Sequence, residues 1–60
     1  MQVEVVATVN QNGSPVTKTF EFNSVDNCET QDGGSIAIIN KDGDYIAEFN
    51  NWEYWRKTGD

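Results

Sequence analysis

The chain has 60 residues, of which 37% are hydrophobic, with ten acids, four bases, no histidine and one cysteine, for a formal net charge of −6. This length allows one domain, residues 1–60, because independent cores rarely form below about 40 residues. The composition excludes a disulfide scaffold, a zinc finger and a membrane span. Met1-Gln2-Val3-Glu4-Val5-Val6 lacks the charged start and apolar run of a signal peptide, so a reducing, cytoplasmic setting is expected.

Residues 2–9 have the alternation and β-branched content of a strand. Asn10-Gln11-Asn12-Gly13 then suits a type I turn whose glycine forms a G1 bulge. A second strand follows over 16–23, with Pro15 at its start, where no ladder donor is needed. In 24–31, Val25 and Cys28 stand three apart, which suits a short strand or a single helical turn capped by Ser24. Asp32-Gly33-Gly34 is a loop. A strand over 35–39, a turn at Asn40-Lys41-Asp42-Gly43 and a strand over 45–50 come next. Residues 51–57 repeat the corner, with Trp52 and Trp55 three apart and Asn51 as the cap.

The chain is self-similar. Residues 6–13 align with 36–43 at a spacing of 30, and residues 21–28 align with 48–55 at a spacing of 27. The expected fold is therefore all-β: a small antiparallel sheet of two pseudo-repeated hairpins (about 3–30 and 33–57), with at most single short helical turns.

Alternation sorts the faces. Val3, Val5, Ala7 and Val9 share one face, as do Val16, Phe20 and Phe22 in the second strand, with Lys18 reaching out over its stem. By the spacing of 30, Ala37 and Ile39 join this core, with Tyr45, Ala47 and Phe49 opposite them. Val6, Ile36, Ile38 and Ile46 are left on the other face. Cover for them comes from residues 52–55, from barrel-like closure or from a second subunit, and a homodimer through these four residues is the expectation.

Catalysis is not expected. Without histidine, Ser14, Ser24, Ser35 and Cys28 lack the usual base. No cofactor and no metal are expected either: Asn40, Asp42 and Asp44 around Gly43 depart from the order of an EF-hand loop and suit a hairpin turn. The acidic balance disfavours direct binding to nucleic acid or to an anionic membrane, and it steers the chain toward basic protein surfaces. By sequence halves the charge is even, −3 in residues 1–30 and −3 in residues 31–60.

Two groups of residues are candidates for partner binding. Trp52, Tyr54 and Trp55 hold three of the seven aromatics and precede Arg56, and Trp, Tyr and Arg are enriched at interaction hot spots. Alternatively, Trp52 and Trp55 lid the core, as Val25 and Cys28 do in the first copy. Glu21 and Glu48 occupy matching repeat positions. With Glu4, Glu53, Asp26, Asp42 and Asp44 they offer acids that could imitate the phosphates of DNA in a basic groove.

A tiny acidic chain of short strands, Asn-x-Asx-Gly turns and an aromatic end resembles small phage-encoded proteins: anti-defence proteins, anti-CRISPR proteins and uracil-DNA glycosylase inhibitors. The likeness is one of size and character over the whole chain. It implies a non-catalytic module that docks on a host defence or nucleic-acid enzyme. The alternative is a structural or assembly component, such as a minor virion or scaffold part.

Overall fold

The computed structural model describes residues 1–60, which form six strands: β1 (Gln2–Gln11), β2 (Ser14–Phe22), β3 (Val25–Thr30), β4 (Ile36–Asn40), β5 (Tyr45–Phe49) and β6 (Trp52–Gly59). They build two antiparallel three-stranded sheets, ordered β2-β1-β6 and β3-β4-β5. The chain is all-β. Both corner segments are strands and not helical turns.

The shared Asn-x-Asx-Gly pattern produces two different turns. Gln11 pairs with Ser14, so Asn12 and Gly13 alone close the first hairpin. Both have positive φ, 54° and 81°, which is the type I′ form and not the expected type I turn with a bulge. At the second turn Gly43 N–H donates to Asn40 C=O (3.0 Å) and Asn40 N–H to Asp44 C=O (2.9 Å). Gly43 has φ 86°, so here the G1 bulge is present. Asn40 Oδ1 accepts from the amides of Asp42 and Asp44, both at 2.9 Å, and fixes the loop.

The repeat is real in the pairing, with an exchange of strands. β1 pairs with β2 of its own copy and with β6 of the other; β4 pairs with β5 of its own copy and with β3 of the other. Shifting β1 by 33 residues and β2, β3 by 27 converts one set of pairs into the other. Val5 pairs with Phe20 and Trp55; Ile38 pairs with Ala47 and Cys28. Even the corner bonds correspond: Thr8 N–H donates to Asn51 C=O (2.7 Å), and Lys41 N–H to Ser24 C=O (3.1 Å).

This corrects the sorting of faces. The turns align at a spacing of 30, but the second hairpin is three residues shorter on each arm, so its first strand aligns at 33. An odd shift flips every side chain of a strand to the other face. Ile36 and Ile38, expected on an uncovered face, are fully buried and form the core with Val3, Val5, Ala7 and Val25. The second sheet of the same chain covers this face. Ala47 and Phe49 follow them inward, whereas Tyr45 is exposed.

The corners also explain their own spacing. Register shifts fall between Val25 and Asn27 in β3 and between the partners of Val6 and Ala7 in β6, leaving Asp26 and Glu53 as extra residues. A bulge residue turns an odd spacing into a same-face spacing. Cys28, Trp52 and Trp55 therefore pack against the core along with buried Val25. The three-apart pattern of a helical turn is here a bulged strand.

Candidate functional site

Because the core lies between the sheets, function has to be sought on their outer faces and edges. On the first sheet, a row across the three strands reads Glu21, Glu4, Arg56, and the next reads Thr19, Val6, Tyr54. Arg56 Nη2 donates to Glu4 Oε1 at 3.2 Å, with the arginine side chain 66% exposed and the glutamate 14% exposed. This hydrogen bond and the carboxylate's charge push the guanidinium pKa up. Tyr54 is half exposed beside Val6.

On the second sheet the equivalent row reads Glu48, Ala37, Glu29. Ala37 is fully buried between the two exposed glutamates, so this row presents carboxylates and no open gap between them. Ser35 Oγ donates to Glu48 Oε2 (3.1 Å) and Gln31 Nε2 to Glu29 Oε1 (3.3 Å). Neither glutamate has an ion pair; the two ion pairs of the molecule are Arg56–Glu4 and Lys57–Asp60. Beyond this row a register shift sets Tyr45 and Ile46 side by side next to Ile39. They are 63% and 44% exposed, the chain's most open large apolar side chains together with Tyr54.

The exchange of strands redistributes charge. The second sheet with its loops, residues 25–49, carries Asp26, Glu29, Asp32, Asp42, Asp44 and Glu48 against Lys41 alone. The rest of the chain carries Glu4, Glu21, Glu53 and Asp60 against Lys18, Arg56 and Lys57. A charge that is even along the sequence becomes −5 on one sheet and −1 on the other.

The structure brings Tyr54, Arg56 and Glu21 together on the first outer face and places Glu48 on the second. Trp52 and Trp55 pack on the core as lids, and Trp52 Nε1–H donates to Gly34 C=O at 2.7 Å. The four residues expected at a dimer interface do not form one surface. Val6 is half-buried on the first sheet, Ile46 is exposed on the second, and Ile36 and Ile38 are in the core. The residues that sequence reasoning missed are Glu29, Ala37 and Tyr45. The spacing of 33 puts Ala37 in the place of Glu4, and the spacing of 27 puts Glu29 in the place of Arg56 and Tyr45 in that of Lys18.

Other candidate chemistry is sparse. The one hollow holds about 220 Å³, opens beside the first hairpin and is lined by Thr8, Val9, Asn10, Gly13, Pro15 and Asn51, none of them titratable. No three acid, histidine or cysteine side chains are grouped to hold a metal ion. Burial raises the pKa of the Cys28 thiol, which disfavours the reactive thiolate. No protein-family model, curated protein or solved structure matches the chain.

Proposed function

We propose that the chain is a non-catalytic protein-binding module of the phage or mobile-element inhibitor kind, docking on a basic surface of a host defence or nucleic-acid enzyme. The observation that carries this reading is the gathering of six acids against one lysine on the second sheet. A surface that binds nucleic acid is basic, and an acidic face complements it and speeds encounter. Tyr45 and Ile46 beside those acids add the apolar and aromatic contacts that a docking surface needs. Tyr54 and Arg56, expected as contacts, sit on the nearly neutral sheet, where Arg56 is already engaged by Glu4.

The test is affinity capture from the lysate of a bacterial host with three forms of the chain. Wild type is expected to recover a basic, nucleic-acid-handling protein that rising salt releases. Glu29→Gln with Glu48→Gln should lose it, and Glu21→Gln with Glu53→Gln should keep it. Equal recovery by all three forms would contradict docking through the second sheet.

A further inference from the structure

Both sheets are open, so the edge strands are β2 and β6 in the first and β3 and β5 in the second. An open edge presents unpaired N–H and C=O groups, which proteins guard with bulges, charges or short strands. β6, β3 and β5 each carry a register shift against the centre strand they join. β2 carries none. It pairs with β1 without interruption from Ser14 to Phe22 and is the longest of the edge strands.

The first hairpin fixes which groups of β2 are free. Its two-residue type I′ turn makes Gln11 and Ser14 a hydrogen-bonded pair, so by alternation Val16, Lys18, Phe20 and Phe22 also turn their amides to β1. Thr8 N–H, which points away from β2 to Asn51 C=O, agrees with this phase. The amides of Thr17, Thr19 and Glu21 therefore face outward from the sheet edge. Pro15 lies on the same side, where a missing N–H breaks no ladder bond. Val16, Phe20 and Phe22 are only half-buried at this edge.

We propose that β2 pairs antiparallel with β2 of a second copy, joining two first sheets into one about a two-fold axis at Thr19. It is independent of the docking reading, which uses the other sheet. In this register Thr19 faces the partner's Thr19 and Thr17 faces the partner's Glu21, so all three free amides find carbonyls. Lys18 lies opposite the partner's Phe20, and Val16 opposite the partner's Phe22, which covers the half-buried side chains. Centring on Lys18 would set two ammonium groups against each other. Centring on Phe20 would bring Thr17 against Asn23, beyond the end of β2. Charge also selects this edge. Residues 25–49 hold six acids against one lysine, which repels a like sheet, whereas the rest of the chain holds four acids against three bases. Once β2 is paired, the edges that remain are the bulged ones, so association closes at the dimer.

The experiment is sedimentation of the full chain from micromolar to millimolar concentration. Wild type is expected to rise from 6.7 kDa toward twice that mass. Thr19→Pro removes the amide that each copy donates at the axis and should raise the dissociation constant about tenfold, the scale of two lost hydrogen bonds. Thr19→Lys sets like charges opposite each other and should also weaken the dimer. Thr58→Lys makes the same change on exposed β6 and should leave it intact. Circular dichroism of all three variants should match wild type. A monomer at every concentration, or equal association by all forms, would overturn the proposal. Loss of fold in Thr19→Pro would place that amide in the β1 ladder and overturn it as well.

Discussion

In the first sheet the centre strand is small and its flanks are large: Val3, Val5 and Ala7 lie between Phe20 and Phe22 on one side and Trp52 and Trp55 on the other. In the second sheet the centre is larger and the flanks smaller, with Ile36 and Ile38 between Ala47, Phe49, Val25 and Cys28. The same pairing is thus filled in complementary ways, as a close-packed interior of two facing layers requires. The equivalent residues Phe22 and Phe49 meet edge-on at 6.1 Å, and Phe20 reaches Phe49 at 4.9 Å, joining the layers. Outside, the sheets diverge by charge. The first neutralises itself through Arg56, and the second leaves its carboxylates open.

The comparison can be broken first in the core. Ile38→Ala should cost about 2–5 kcal/mol, and the equivalent Val5→Ala less, because fewer atoms leave a smaller cavity. A core of this size supplies only about 3–5 kcal/mol, so Ile38→Ala should be largely unfolded in water. Urea titrations followed by circular dichroism give both values; equal costs would show that the two centre strands are packed alike. Trp52→Phe removes the donor to Gly34 and should cost about 1 kcal/mol beyond the packing it loses.

The turns sharpen the contrast on a smaller scale. Asn40→Ala loses both bonds accepted by Oδ1 and should cost about 1 kcal/mol. Asn10, at the same place in the first motif, closes no such loop, and Asn10→Ala should stay within about 0.5 kcal/mol. Comparable midpoint shifts would erase the distinction between the turns.

The smallest effect is a rate. Cys28 occupies the place that Trp55 holds in the first sheet, and its burial favours the neutral thiol. A thiol pKa raised by folding contributes stability below the ordinary thiol pKa and loses it as pH rises through the raised value. Alkylation near neutral pH should therefore be slow in the native chain and fast in denaturant. Fast native alkylation would show the second sheet's flank to be open.

Much of the fold is legible in local pattern. Val3, Val5 and Ala7 alternate along β1 and are buried, and Phe20 and Phe22 share their face. The match of 21–28 with 48–55 holds residue by residue. What is illegible follows from two physical facts. Turn residues align by backbone conformation and say nothing about arm length, so three residues lost on each arm reversed the faces of Ile36 and Ile38. Nor does an edge strand's own sequence say which centre strand it joins, so neither the exchange of β3 and β6 nor the charge separation can be read from the halves. Ala37 looks like one more small core residue until its place opposite two glutamates is known.

The charge separation depends on that exchange, so the cross-strand contacts of β3 and β6 test it most directly. In nuclear Overhauser spectra of the folded chain, β6 should show backbone contacts to β1, at Val5–Trp55 and Val6–Tyr54, and β3 to β4, at Cys28–Ile38 and Ala37–Glu29. Contacts of β6 with β5, or of β3 with β2, would return each third strand to its own copy. The acids would then be spread evenly, and the second sheet would lose its claim as the docking face.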